Sequence, residues 1–305
     1  MKSLVTGGSG FIGSHLVDRL VDLGHIVYVI DKQEPLNKEA IWLNIDLNLT
    51  NDLGELLTDI ENVFHLAAVA DATIVNQDAV NAVKTNYLGT AHLLEACRRN
   101  NIKRFIFAST VWVYSDMQND FITEEDTIVP PKNLYASLKY TNELLIQNLC
   151  ALYSIPYTIL RYGIPYGNRM RDKLAIPSMV RSAIENSIIN VYGDGSQTRK
   201  FVHVNDLIDG HIACLNKNGE NQIFNLEGTD SISIKELSEL VLDTLKINGD
   251  IIFTEARGAD YKGRSISNKK AKDCLNWQPK IPLVQGLTET ISNYNKSLYA
   301  EMKVL

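Results

Sequence analysis

The chain is 305 residues long, 45% hydrophobic and 22% charged, with a formal net charge of −6 at neutral pH and a pI near 5.6. That supports a large core in one compact unit or two closely joined lobes, and the acidic balance, with basic pairs no longer than Arg98-Arg99 and Lys269-Lys270, excludes an electrostatic case for nucleic acid. No apolar run approaches the ~20 residues of a membrane span, Met1-Lys2 leads straight into a strand pattern, and Cys97, Cys150, Cys214 and Cys274 lack metal or redox spacing; the expectation is a cytoplasmic protein with reduced cysteines, no membrane partner and no metal.

The first predicted strand, Ser3–Thr6, enters a glycine turn, and Gly7, Gly10 and Gly13 then open an amphipathic helix carrying Phe11, Ile12, Leu16 and Leu20. Gly7 and Gly10 let a pyrophosphate approach the backbone, and Gly13 lets helix and strand pack closely. The N–H groups at the helix start, around Phe11 and Ile12, then face the anion. A second strand, Ile26–Ile30, ends at Asp31, about 20 residues after the turn, where a carboxylate accepts both adenosine-ribose hydroxyls and repels a 2′-phosphate. The expected cofactor is NAD rather than NADP, although Lys32 beside Asp31 offers a charge that would tolerate some NADP.

Further strand patterns follow at Ile41–Ile45, Val63–Leu66, Phe105–Ala108 and Tyr157–Leu160, separated by helical patterns. This alternation predicts an α/β fold, a Rossmann-like doubly wound parallel sheet, whose strand ends line one crevice. Asp46-Leu47, Leu66-Ala67-Ala68 and Ser109-Thr110 lie at those ends and are candidate cofactor contacts. Beyond Leu160 the punctuation by Pro165, Gly167, Pro177, Gly193 and Gly195 predicts a smaller C-terminal α/β substrate lobe. The expected division is 1–165 for the dinucleotide-binding domain, with 201–215 returning to it, and 166–305 for the substrate lobe.

Tyr135 and Lys139 stand four apart at the start of a helix that follows Pro130-Pro131, so they share one face. A free phenol, with a pKa of about 10, is a poor base near neutrality; an ammonium one turn away stabilises phenolate, so the pair suits proton transfer during hydride transfer. Lys139 is also placed to hold the nicotinamide ribose.

The glycine spacing, three residues apart twice, resembles the extended branch of the short-chain dehydrogenase/reductase superfamily. The likeness continues through Phe105-Ile-Phe-Ala-Ser-Thr-Val-Trp-Val-Tyr114, Leu160-Arg-Tyr-Gly-Ile-Pro-Tyr-Gly167, Tyr192-Gly-Asp-Gly-Ser-Gln-Thr-Arg199, Phe201-Val-His-Val-Asn-Asp206 and Arg257-Gly-Ala-Asp260, so the chain resembles the nucleotide-sugar epimerase/dehydratase group over nearly its whole length. The resemblance implies that Thr110 hydrogen-bonds the reacting oxygen, with Ser109 as a possible substitute, and that Asn86 supports the helix of Tyr135 and Lys139. It also implies that Arg199 and Arg257 clamp a nucleoside diphosphate, the guanidinium chemistry suited to it, with Asp260 near the nucleotide ribose and Trp112 near the sugar. A homodimer is implied too, through helices Ala79–Asn100 and Tyr135–Tyr153, which carry the apolar residues Val80, Val83, Leu93, Leu94, Leu144, Leu145, Leu149 and Leu152.

Within that group, 4,6-dehydratases and decarboxylases place a glutamate just after the threonine, whereas this chain has Val111 and Trp112. Neither side chain acts as an acid or base. A 4-epimerase of a UDP-sugar needs only Thr110, Tyr135, Lys139 and a retained NAD, and is the leading expectation; a keto-sugar reductase or sugar dehydrogenase is the first alternative, a 4,6-dehydratase the second, and a non-enzymatic dinucleotide sensor the most distant one. Trp112 in place of a small residue, Ser115 in place of a glycine, Ile164 in place of an asparagine and Lys200 in place of an aspartate depart from the epimerase pattern and point to an altered sugar pocket.

Overall fold

The structure, a computed structural model, describes residues 1–48, 53–255 and 265–302. The chain divides into two compact units. The first comprises Met1–Tyr162, Ile208–Leu226 and Ile266–Gln278, and the second Gly163–Leu207, Glu227–Ser265 and Pro279–Leu305. Ile208–Leu226 therefore joins the first unit where the sequence suggested 201–215, and Ile266–Gln278 joins it as well.

The first unit is built on β1 (Lys2–Thr6), β2 (Ile26–Asp31), β3 (Ile41–Asn44), β4 (Asn62–His65) and β5 (Arg104–Thr110), with two further strands at Tyr157–Tyr162 and Gln222–Leu226. They form one seven-stranded sheet in the order Gln222–Leu226, Tyr157–Tyr162, β5, β4, β1, β2, β3, and every pairing is parallel. All seven residues of β5 are buried, which is why it reads as a near-continuous apolar run. The strand Gln222–Leu226 went unnoticed in the sequence because its pairing with Tyr157–Tyr162 is long-range and its five residues follow an irregular stretch.

The order of strands positions the site. The chain builds β1, β2 and β3 outward on one side, then crosses back to lay β4 on the other side of β1. A crevice opens where two neighbouring strands send their connections in opposite directions, at the carboxyl ends of β1 and β4. Leu4, Val63, Phe105 and Ile159 form the core beneath it, each burial worth roughly 1.5–3 kcal/mol.

Between β1 and Tyr157–Tyr162 the described residues form the helices α1 (Phe11–Asp22), α2 (Ala72–Gln77), α3 (Ala79–Val83), α4 (Gly89–Arg98) and α5 (Leu134–Tyr153). The single long helix expected over 79–100 is interrupted by a π turn at Lys84–Leu88, so α3 and α4 are separate. α5 starts sharply because Asn133 Oδ1 accepts the N–H of Ala136 at 3.1 Å, and it stops at Ser154, whose φ of 56° is left-handed.

In the second unit, Ser231–Ser233, Thr198–His203 and Ile164–Tyr166 form a three-stranded sheet, and Asp250–Thr254 pairs with Ile188–Tyr192. Helices Ala175–Asn186, Ile234–Leu245 and Leu283–Met302 complete it. Among the described residues no helix is long and apolar enough to cross a membrane.

Candidate active site

At the end of β1 the backbone is bent tightly against its neighbours. Gly7 has φ +73°, and a Cβ there would stand 2.7 Å from the Ala67 backbone nitrogen; a Cβ on Gly13 would stand 2.0 Å from the Gly7 oxygen. Both positions need glycine, because a side chain would force the strand end, the loop after β4 and α1 apart. Gly10 caps α1 without a side-chain bond, so the first N–H groups of the helix, at Phe11, Ile12 and Gly13, lack intrahelical acceptors and suit an anion.

Asp31 closes the neighbouring edge of this cradle. Its Oδ2 accepts the Ser9 N–H at 3.0 Å and its Oδ1 the Gln33 N–H at 3.1 Å, which fixes a carboxylate beside the glycine turn. Lys32, the possible tolerance for a 2′-phosphate, is instead paired with Asp46 at 2.7 Å. Burial alone would raise the Asp46 carboxyl, but Lys32 and the Asn48 N–H outweigh it and hold the group below its usual range. The cradle therefore fits the diphosphate and adenosine ribose of NAD. Leu47 follows Asp46 after β3, and Leu66, Ala67 and Ala68 follow β4, with Ala67 against Gly7.

Across the crevice, β5 ends at Thr110. Its Oγ1 accepts the Trp112 N–H at 3.2 Å and caps a single 3-10 turn over Val111–Tyr114. That bond uses a lone pair and leaves the hydroxyl proton to be donated. Tyr135 and Lys139 lie one turn apart at the start of α5, Tyr135 packed among Val75, Ala82 and Leu138. The Lys139 ammonium is 4% exposed, donates to Ala108 O at 2.6 Å and lies 4.7 Å from the Phe107 ring centroid. Burial pulls its pKa down to about 8, while the Glu143 carboxylate one turn further along pulls the other way.

The Ser109 hydroxyl is engaged away from that of Thr110. Neighbours on a strand point to opposite faces, and the Ser109 hydroxyl donates to Glu143 Oε1. Glu143 is fully buried and ion-paired with the buried Arg161, whose Nη2 is 2.6 Å from Glu143 Oε2. Arg161 also donates to the Tyr114 hydroxyl, which in turn donates to Asn225 Oδ1 at 2.9 Å. Glu143 was not singled out in the sequence, although its place at i+4 from Lys139 was a signal that it shares the face of Tyr135.

Asn86 lies in the π turn. Its side chain accepts the Val69 N–H at 2.7 Å and donates to the Val69 carbonyl at 3.0 Å, and its own carbonyl accepts from Asn142 Nδ2 of α5 at 2.7 Å. It thus braces α5 against the loop after β4, and its side chain is engaged with Val69. The buried His65, the last residue of β4, bonds Thr6 at 2.7 Å and Thr90 at 2.8 Å.

Of the residues expected to hold the sugar nucleotide, Trp112 lies in the turn after Thr110, half-buried against the cluster of Val111, Val113 and Tyr114. Arg199 belongs to the second unit, on Thr198–His203, where its Nη1 donates to Thr198 O at 2.9 Å. Arg257 and Asp260 lie outside the described residues. Among the described residues no cluster of three or more His, Cys, Asp or Glu side chains is arranged to hold a metal.

Comparison with known proteins places these features in a family. Residues 3–226 match the model of the NAD dependent epimerase/dehydratase family. The chain is 32% identical to UDP-glucuronic acid decarboxylase 1 of Arabidopsis thaliana, across 99% of its own length and 71% of the relative's. Among solved structures it is similar to UDP-glucose 4-epimerase of Thermotoga maritima with UDP-glucose, at a TM-score of 0.91 and 29% identity, covering 98% of this chain and 100% of that one. It is equally similar to UDP-glucuronic acid 4-epimerase of Bacillus cereus in complex with UDP-glucuronic acid and NAD, at a TM-score of 0.90 and 30% identity, again covering 98% and 100%.

Proposed function

The chain belongs to the NAD dependent epimerase/dehydratase family, an NAD-dependent group that modifies nucleotide sugars, and from that membership we propose that it is a 4-epimerase of a UDP-sugar. The observation that carries the choice of reaction is the turn after Thr110. Val111 is buried and Trp112 half-buried there, and neither carries an ionisable group, so these two positions supply no acid or base for eliminating water or assisting loss of carbon dioxide. The similar proteins include a decarboxylase as well as epimerases, and the absence of a carboxylate at positions 111 and 112 supports the epimerase reading.

NAD, when bound, supplies a two-electron acceptor that takes a hydride from the sugar carbon and gives it back. The rest falls to side chains. Gly7, Gly10, Phe11, Ile12 and Gly13 hold the diphosphate on backbone N–H groups, Asp31 takes the adenosine ribose, and Asp46, Leu47, Leu66, Ala67 and Ala68 line the dinucleotide. Tyr135 Oη accepts the proton of the C4 hydroxyl as phenolate, a state that the ammonium of Lys139 favours. Thr110 donates its hydroxyl proton to the same sugar oxygen and holds it in place. When the sugar has turned its other face, Tyr135 returns the proton. Lys139 also reaches the nicotinamide ribose, and Arg199, Arg257, Asp260 and Trp112 serve the sugar nucleotide. Incubation with a panel of UDP-sugars, read by proton NMR, tests the proposal: it predicts interconversion of C4 epimers without net NADH, and a dehydrated or decarboxylated product would overturn it.

A homodimer belongs to the same proposal. Leu93 and Leu94 are fully buried in the core, and Leu145 and Leu149 half-buried, so they do not supply a free surface. Val80, Val83, Leu88, Leu144 and Leu152 do: they are exposed on α3, the π turn and α5, Val80 at 68% and Leu152 at 72%. A second copy covering them would bury about 1,000 Å² or more. Sedimentation at micromolar concentration should give twice the chain mass of 34.2 kDa; a single-chain mass would contradict the dimer.

A further inference from the structure

A chain of hydrogen bonds with only one consistent direction runs from the glycine turn to the helix of Tyr135 and Lys139. The Ala67 N–H donates to Thr6 Oγ1 at 3.2 Å, and Thr6 Oγ1 lies 2.7 Å from His65 Nδ1. His65 Nε2 lies 2.8 Å from Thr90 Oγ1, whose proton goes to the Asn86 carbonyl at 2.6 Å. That carbonyl also accepts Asn142 Nδ2 of α5 at 2.7 Å.

A carbonyl only accepts, so Thr90 must spend its proton on Asn86, and towards His65 it can only accept. His65 Nε2 therefore carries a proton. Two states of the ring remain. In the cation Nδ1 also carries a proton, but His65 is 1% exposed and lies within the field of Lys139, and burial pulls its pKa down to about 3. In the neutral Nε2–H form Nδ1 is a bare acceptor, and the Thr6 hydroxyl, already accepting from Ala67, donates to it. Every proton along the path then has an acceptor, and the Asn86 carbonyl, with two lone pairs, accepts both Thr90 and Asn142.

The ends of this path give it meaning. Thr6 immediately precedes Gly7, and Ala67 is the residue against which Gly7 closes. Asn86 sits in the π turn, where an α-helix has been widened, and π turns recur at functional sites. Asn142 stands three residues from Lys139 on α5, and its Oδ1 is a buried atom with no hydrogen-bond partner among the described residues. The rings of Phe105 and Phe107 pack against His65 in tilted contacts, at centroid distances of 5.9 and 5.8 Å.

We propose that His65 is a positioning residue: fixed as the neutral Nε2–H tautomer, it couples the cofactor cradle at Thr6 and Ala67 to the π turn that braces the Tyr135–Lys139 helix. The coupling is mutual, so a break at either end is felt at the other. The inference rests on the proposed reading only for the roles of Tyr135 and Lys139, and its tests use no sugar.

The tautomer is read directly from long-range proton–nitrogen NMR of the protein labelled with 15N-histidine at pH 7.5. Nδ1 should show the shift of a bare ring nitrogen and Nε2 that of a protonated one. A proton on Nδ1, with or without one on Nε2, overturns the proposal. The coupling is read by breaking each end with an isosteric change. Thr90→Val, remote from the cradle, should weaken NAD binding about 3- to 10-fold in a fluorescence titration, and Thr6→Val should move the Asn142 side-chain amide resonance at the far end of the path. NAD affinity within twofold of wild type in Thr90→Val, together with an unmoved Asn142 resonance in Thr6→Val, would leave His65 a packing residue and overturn the coupling. Should one variant fail to fold, the readout of the other decides the coupling, and a proton on Nδ1 in the wild-type protein overturns the proposal whatever the variants show.

Discussion

Replacement of Tyr135 by phenylalanine is expected to lower turnover by about 100-fold or more while the fold and NAD binding persist, the loss typical of a missing general acid–base group. The substitution removes one oxygen and keeps the ring that packs with Val75, Ala82 and Leu138, so α5 has no reason to shift. Lys139 does not take over the task. Its ammonium is buried and directed at the Ala108 carbonyl, and its position favours a neighbouring negative charge rather than accepting a substrate proton. Circular dichroism and an NAD titration establish the intact fold, and initial rates on the wild-type substrate establish the loss. Retention of more than about a tenth of wild-type activity would remove Tyr135 from the proton path.

The second large effect is on stability. Glu143→Ala should destabilise the protein by about 3–5 kcal/mol, because it strands the guanidinium of Arg161 in the interior without its counter-charge. Glu143 is fully buried and Arg161 is 3% exposed, and three guanidinium bonds join them, at 3.0, 3.2 and 2.6 Å. The Ser109 hydroxyl loses its acceptor at the same time. Urea unfolding measures the cost as a lower midpoint at unchanged slope. Arg161→Met in the Glu143→Ala background should recover part of it, since it removes the stranded buried charge although the space left by the Glu143 carboxylate stays unfilled. A single-variant loss below about 1 kcal/mol would mean that the pair is solvated.

The parts of the site that the sequence made legible are those whose members lie close along the chain or at strand ends. The glycine turn, Asp31 at the end of β2 and the pair Tyr135 and Lys139 follow from short spacings and from the alternation of strands and helices, whereas Thr110 at the end of β5 was singled out through the family resemblance. The parts it hid depend on residues far apart. His65 meets Thr6 across 59 positions and Thr90 across 25, and Ser109 meets Glu143 across 34. Nothing in a local pattern distinguishes such a histidine from one that merely fills space. The π turn was hidden for another reason: its extra residue shifts the apolar periodicity by less than the tolerance of a 3.6-residue repeat, so Ala79–Asn100 read as one helix. Ser109 and Thr110 both offer a hydroxyl; the position four before Tyr114 favoured Thr110, and the strand's alternation turns the two side chains to opposite faces.

The central claim is that the sugar keeps its carbon skeleton and only its C4 centre is inverted. The most direct measurement is to incubate the protein with a UDP-hexose deuterated at C4 and follow the product by NMR. The account predicts the opposite C4 epimer with the deuterium still on C4, no NADH accumulating and no carbon dioxide released. Loss of the C4 deuterium to solvent, a product lacking water or a carboxylate, or NADH formed in proportion to product would contradict it.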